Sequence, residues 1–523
     1  MKRALFAWLG IAAILAACAP SNPSGSALPP APTTPTESRA DNQVIRIGIT
    51  NFYQYLTPQA STVYNYNIWP MYDNLTQFGP KFAVQPSVAR TWSLSPDRLT
   101  WTFDLRDDLT FSNGEKLTAD DVVFSLNLIL EKNWPQRAYF PSVSNVSAKD
   151  VKTVQITTRT PDVSVPNSGH FLMILPKKYY EGLGDEGFRE KPIGSGPYEL
   201  VRFVRDDSVH YKKRATAHPF RKPANDELII RNIPEIIQLI NGISTDQFEL
   251  IGGALTGDQI DQLKQRGLTI INRPGSSMNI MMPQGTYESK NTPLANLKVR
   301  QALNYAVNRE QIVKSIFRGY GRASGQLLVP DSPSWNEAIP AWPYDVAKAK
   351  QLLAEAGYAN GFKVQLQTNP ASMPQELPLA LQSDLRAVGV DVEIVQLEGA
   401  TFADYSAGRN NYVKADLFAF GLAESNGMSQ FSTIGCNKPV GSAPSANYYC
   451  IPEQEKLNQQ IVNEADPAKR LALMQQSTKL ISDSAPAIFL LVRDAVFITT
   501  PKTRGFDPPL FNHFHYDSLY KIK

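Results

Sequence analysis

Residues 84–124, VQPSVARTWSLSPDRLTWTFDLRDDLTFSNGEKLTADDVVF, constrain the fold more than any other stretch, because local signals follow one another there without a gap. Leu99, Trp101, Phe103 and Leu105 alternate with Thr100, Thr102, Asp104 and Arg106. That period of two, in β-favouring residue types, predicts a half-buried strand. Ser95-Pro96-Asp97 ahead of it predicts a turn, and Asn113-Gly114 between Phe111 and Leu117 predicts a hairpin connection, so two antiparallel strands are expected. Thr118 offers an N-cap with Asp121 three residues on, and Val122, Val123, Leu126 and Ile129 recur on one helical face. The adjacent Asp120 and Asp121 resemble a paired-carboxylate site but are better explained as helix capping.

The same positions resemble the signature of the large extracytoplasmic solute-binding proteins that serve peptide, nickel and related ABC importers, the bacterial extracellular solute-binding protein family 5. The matching places are Ala89, Trp92, Ser95, Asp97, residues 99–103, Leu105-Arg106, Phe111, Gly114 and residues 117–122. Residues 191–198, KPIGSGPY, resemble a second signature of that family, with Ser195 where threonine is usual. Two glycines allow close backbone approach and Pro197 stiffens the exit into a strand. Ser195 is not read as a nucleophile, since the glycine spacing is not that of a nucleophile elbow. A third signature is matched by residues 299–309, VRQALNYAVNR, on a helix whose apolar face is Val299, Ala302, Leu303, Ala306 and Val307.

At the N-terminus, Lys2 and Arg3 precede an apolar run, residues 4–17, that is shorter than the roughly 20 residues of a membrane-spanning helix. Leu15-Ala16-Ala17-Cys18 is similar to the lipobox of bacterial lipoproteins, which makes Cys18 the expected lipidation site; an ordinary cleaved signal is the alternative. Residues 19–42, rich in Pro, Ser and Thr, read as an extended linker. The remaining length calls for two or three domains. A net charge of +3, with no basic stripe interleaved with aromatics, argues against nucleic acid. With Cys18 set aside, Cys436 and Cys450 are an even pair in a secreted chain, and a disulfide closing their irregular loop is expected.

Beyond the fingerprint, strand and helix signals alternate. Strands are expected over residues 227–232, 248–252, 268–272 and 277–282, with a first crossing between lobes near Arg273-Pro274-Gly275. Asp345 caps a helix closed by Gly357, and a strand, helix and strand over residues 363–397 form a βαβ unit with Gly389 after the helix. The strand-like residues 487–499 supply the second crossing.

The resemblance implies an α/β, two-lobed periplasmic-binding-protein-like fold (type II, cluster C) with an extra inserted subdomain. Lobe I is expected to comprise residues 43–66, 187–275 and 488–523, the insert residues 67–186, and lobe II residues 276–487. In the family, the segment after the first strand lines the ligand cleft, which nominates Tyr53 and Tyr55; packing of one domain on another is the alternative. The strand that meets the ligand falls on Phe420, Gly421 and Leu422, with Gly421 at the usual tryptophan place and Glu424 at the place of an aspartate that pairs with a peptide's amino terminus. His513 and His515 share one side of a strand, but two imidazoles without a third ligand make a poor metal site.

The function implied is a substrate-binding lipoprotein of an ABC importer. It captures an oligopeptide or dipeptide, or alternatively an oligosaccharide or a nickel chelate, and delivers it to a membrane permease. It is expected to act as an extracytoplasmic, lipid-anchored monomer without cofactor. No phosphate loop of the form G-x-x-x-x-G-K-[ST] occurs, so ATP hydrolysis must happen elsewhere. Two other classes stay open on the residues alone: an extracytoplasmic hydrolase of peptides or glycans, although H-E-x-x-H and G-x-S-x-G are both absent, and a chaperone-like or adhesive surface protein.

Overall fold

The turn Ser95-Pro96-Asp97 folds as its residues dictate: the Arg98 N–H donates to the Ser95 carbonyl at 2.8 Å, and the Asp97 carboxylate accepts from the Leu99 N–H at 3.1 Å. It joins β2 (Ala89–Leu94) to β3 (Thr100–Leu105), the antiparallel pair at the start of the fingerprint. The Asn113-Gly114 turn does something smaller than expected. Gly114 takes φ +87°, but the turn closes only a lone bridge between Thr110 and Lys116 rather than a second long strand pair. The other partner of β3 is instead the distant β5 (Thr153–Thr158), which leads to β4 (Val143–Asp150) and completes a four-stranded sheet in the order β2-β3-β5-β4. Helix α1 (Ala119–Glu131) lies with this sheet and buries Val122, Leu126 and Ile129 in a core shared with Phe103, Leu105, Val154 and Ile156.

At the start of α1 the Asp121 carboxylate accepts from the Thr118 N–H at 2.8 Å and from the Lys177 N–H at 2.9 Å. Burial nonetheless raises its pKa, because those bonds offset only part of the desolvation.

This computed structural model describes residues 37–50, 52–58, 67–253, 255–283, 292–369, 373–398, 401–402, 416–423, 451–508 and 514–523. Residues 39–523 form one compact unit. Cys18, Glu424, Cys436, Cys450 and His513 lie outside the described residues, as does most of the linker. Among the described residues no helix is long and apolar enough to cross a membrane.

Among the described residues the main sheet has 11 strands. One half is built on β1 (Val44–Ile49), which runs parallel to β8 (Glu227–Asn232) and β9 (Leu250–Gly252), with α2 (Ile236–Ser244) as the crossover between the latter two. Strands β6 (Tyr198–Val204) and β7 (Ser208–Lys213) extend that half by antiparallel pairing. The other half pairs β12 (Phe362–Thr368) in parallel with β13 (Val390–Gln396) and with β14 (Leu417–Ala423). Helices α4 (Leu297–Ala306), α6 (Val346–Glu355) and α7 (Glu376–Arg386) cover it, the expected apolar face of α4 buried and Gly357 and Gly389 at φ +90° just beyond the other two.

Two long strands join the halves. The segments expected as separate strands over residues 268–272 and 277–282 are one strand, β10 (Thr269–Pro283), which pairs antiparallel with β15 (Ile488–Thr499) along its length. Ile270, Ile271 and residues 496–498 join the cores of the first half; Met278, Ile280, Met281 and residues 488–492 join those of the second. Between them the register slips: Arg273 faces Ala495, and the next pair is Ser277 with Arg493, so Pro274, Gly275 and Ser276 bulge opposite Asp494 alone. Phe82, at φ +57°, adds a contact from the chain before the fingerprint to the second half, burying its ring in the core that holds Met278, Ile280 and Phe418.

Candidate functional site

Strand β14 begins inside the core with Leu417, Phe418 and Ala419 buried, and Gly421 further along it is exposed. Its backbone pairs with β10 at Phe420 with Ile280, Gly421 with Asn279, and Leu422 with Met278. Residues opposed across antiparallel strands present their side chains to one face, so Gly421 leaves a gap beside Asn279. A Cβ built on Gly421 would stand 3.6 Å from Asn279 Nδ2, an ordinary contact, so the glycine is not forced by crowding. Asn279 is 2% exposed and its Oδ1 is buried without a hydrogen-bond donor. Glu424 follows just beyond the described residues.

Tyr53 and Tyr55 come together on the other half of the molecule, their rings 6.0 Å apart in an edge contact. The backbone of Tyr53 is clamped by Asn67, whose Oδ1 accepts from the Tyr53 N–H and whose Nδ2 donates to the Tyr53 carbonyl, both at 3.0 Å. Its hydroxyl is buried without a partner, and that burial raises its pKa. Tyr55 is held differently. Arg205 donates to its hydroxyl at 2.7 Å, and the guanidinium groups of Arg205 and Arg189 lie 4.8 and 5.6 Å from its ring centroid. Nothing in the sequence around Tyr55 marks those arginines as its partners, since they follow it by more than a hundred positions.

A buried ionic cluster that sequence reasoning missed surrounds the second signature. Gly194 and Gly196 are there because the backbone of residues 70–71 presses on them: a Cβ on Gly194 would lie 2.0 Å from the Met71 carbonyl oxygen, and one on Gly196 2.6 Å from that of Pro70. Between them Ser195 donates to Asp73 Oδ2 at 2.9 Å, and His218 Nε2 meets the same oxygen at 3.0 Å. Arg221 lies 3.3 Å from Asp73 Oδ1 and donates to both carboxylate oxygens of Asp517, at 2.7 and 3.1 Å. Desolvation alone would raise the Asp73 carboxyl. The hydrogen bond and charge of His218, with Arg221 and Ser195, override it and hold the group well below the usual carboxylate range. Asp517 is likewise lowered, burial being outweighed by Arg221.

The arrangement also bears on chemistry. Ser195 and His218 both point at Asp73 rather than at each other, and Ser195 is fully buried, so the hydroxyl faces only a carboxylate whose lowered pKa makes it a weak base, and His218 is not placed to activate it. Of the two histidines near the C-terminus, His515 is half-buried against Trp69, their rings 6.4 Å apart. Among the described residues no group of three His, Cys, Asp or Glu side chains could hold a metal ion.

The bulge between the two halves is held by its own polar contacts. Asp494 accepts from the Gly275 N–H and from Asn272 Nδ2, each at 2.9 Å. Arg273 pairs with Asp331 at 2.7 Å and donates to the Pro508 carbonyl at 3.1 Å. Gly275 sits at φ +69°, a conformation that other residues adopt only under strain.

Comparison with known proteins places this geometry. The chain is 26% identical to heme-binding protein A of Haemophilus influenzae, over 97% of this chain and 96% of that protein. It is 28% identical to the dipeptide-binding protein of Escherichia coli, over 88% of this chain and 91% of that one. The solved structure of the ABC transporter-associated periplasmic binding protein DppA from Helicobacter pylori, in complex with peptide STSA, matches with a TM-score of 0.80 at 22% identity, covering 92% of this chain and 98% of the other. The fold is therefore the two-lobed periplasmic-binding-protein fold. The middle region of the bacterial extracellular solute-binding proteins, family 5, matches residues 83–438, and this chain belongs to that family.

Proposed function

We propose that this chain is the receptor of an ABC importer that captures short peptides between its lobes, releases them unchanged to a membrane permease and performs no chemistry on them. The observation that carries this reading is the crossing: two separately cored lobes are joined by a bulged strand pair, and β14 brings the exposed Gly421 beside Asn279. Two bodies on such a connection can rock about it, and a ligand that touches both favours the closed form by its differential contacts. The dipeptide-binding relative supports peptides ahead of oligosaccharides or nickel chelates as cargo.

In this reading lobe I comprises residues 43–66, 187–275 and 488–523, the insert residues 67–186, and lobe II residues 276–487. Tyr53 and Tyr55 contribute from lobe I, and Phe420, Gly421, Leu422 and Glu424 from lobe II. Cys18 carries a lipid anchor, Cys436 and Cys450 form a disulfide, and the receptor works as an extracytoplasmic monomer.

Thermal unfolding of the full chain with di- to pentapeptides, oligosaccharides and nickel with histidine tests the reading. A ligand present at about 100 times its dissociation constant adds roughly 2.7 kcal/mol to a folded state that alone binds it. A saturable rise with peptides recovered intact is the expected result. A rise only with sugars or the nickel chelate overturns the cargo, and cleavage of the peptides overturns the receptor.

A further inference from the structure

Asn279, on the sheet, combines deep burial, an unpaired side-chain oxygen and a cross-strand neighbour without a side chain. Its Oδ1 is buried without a donor, although a buried polar atom left unpaired is costly. On one side its cross-strand neighbour is Leu491, which is apolar and buried. On the other it is Gly421, which has no side chain and is exposed. The missing side chain of Gly421 therefore leaves room at the Nδ2 edge of the amide, which lies 3.6 Å from where a Cβ would stand, with the unpaired Oδ1 on the same group.

We infer that Asn279 is a ligand-binding residue whose side-chain amide pairs with a peptide group of a bound peptide lying beside Gly421, Nδ2 donating to the ligand carbonyl and Oδ1 accepting from the ligand N–H. Several features select a peptide group over a charged ligand. Asn279 is neutral, and neither of its lateral neighbours, Gly421 and Leu491, carries a charge to balance an ammonium or a carboxylate. A primary amide holds a donor and an acceptor side by side, as a peptide group does, and can satisfy both of the ligand's atoms. Gly421 admits a main chain where a larger residue would exclude it. The inference rests on the peptide-receptor reading and names one of its contacts.

The test uses the full chain and two ligands, the dipeptide Ala-Phe and its analogue methylated on the amide nitrogen, with affinities measured by calorimetry for the native protein and for Asn279→Leu. The native protein should bind Ala-Phe at least tenfold more tightly than the methylated analogue. Asn279→Leu should bind Ala-Phe at least tenfold more weakly than the native protein does, and should no longer distinguish the two. Its ligand-free unfolding midpoint should match or exceed the native one, because the variant removes an unpaired buried oxygen. Asn279→Ser provides the same comparison if the leucine does not fold. Undiminished discrimination by the variants overturns the role of Asn279 and leaves the receptor reading intact. Failure of the native protein to bind either ligand or any peptide of the panel overturns both.

Discussion

Two ionic clusters, each tying together distant parts of the chain, are built to opposite specifications. Around Asp73 and Arg221 everything is dry: the two side chains are 1% and 6% exposed, and Ser195, His218 and Asp517 fill the remaining bonds. Around Arg273 and Asp331, at the crossing between lobes, the partners are 22% and 33% exposed and water can substitute for either. A buried ion pair in low dielectric cannot be opened without stranding a charge, whereas a half-exposed one exchanges partners at little cost. The first cluster joins residues 73, 195, 218, 221 and 517 into one rigid piece. The second sits where the proposed motion needs a contact that can be remade.

The contrast can be broken most directly at Arg221. Replacing it with methionine leaves Asp73 and Asp517 buried without their shared cation, and should lower stability by about 3–5 kcal/mol in urea unfolding, with Asp73 and Asp517 both rising in pKa. A loss below about 1 kcal/mol would show that the cluster is not the fixed element described here.

Acid should expose the same asymmetry. Desolvation, with His515 nearby, lowers the pKa of fully buried His170 to about 3. In the unfolded chain a histidine takes its proton near pH 6.5, so below that value the unfolded state binds more protons and stability falls as pH falls. Asp73 and Asp517, with folded pKa values below the unfolded carboxylate range, add stability that is complete above about pH 4 and is lost as pH drops further. The unfolding midpoint should therefore decline in two stages, from about pH 6.5 and again below about pH 4. His170→Gln should flatten the first stage, and an unchanged profile would refute the assignment.

At the crossing the expected effects are smaller on stability and larger on binding. Gly275→Ala places a Cβ 2.6 Å from Pro330 Cδ at φ +69°. It should cost roughly 1–3 kcal/mol while altering ligand affinity through the bulge. Arg273→Ala should cost no more than about 1 kcal/mol, and should instead change the ligand dissociation rate measured by stopped flow. If Arg273→Ala destabilised the protein as much as Arg221→Met, the two clusters would not differ in kind.

What could be read from residues alone was whatever is decided within a few positions. The Thr118 and Asp121 cap, the Ser95-Pro96-Asp97 turn, the apolar face of α4 and the glycines after α6 and α7 all rest on neighbours close in the chain, and they stand as the residues predict. Strand partnership was another matter. The Asn113-Gly114 turn carries a genuine hairpin signal, yet β3 pairs with β2 before it and with β5 some fifty residues on, because edge pairing is settled by the sheet as a whole.

The same limit governs the site. Gly421 could be placed by motif, but the unmet amide of Asn279 beside it exists only once β10 and β14 are in register, 142 positions apart along the sequence. Arg300 stands in the third signature off its apolar face, yet it is 1% exposed and donates to the Leu294, Ala295 and Ala485 carbonyls. The sequence by itself determined local geometry and family membership, since caps, turns and periodicity are set by adjacent residues. Which charges are buried together and which polar atom is left without a partner were decided by tertiary structure alone, because burial and pairing belong to residues that meet only in space.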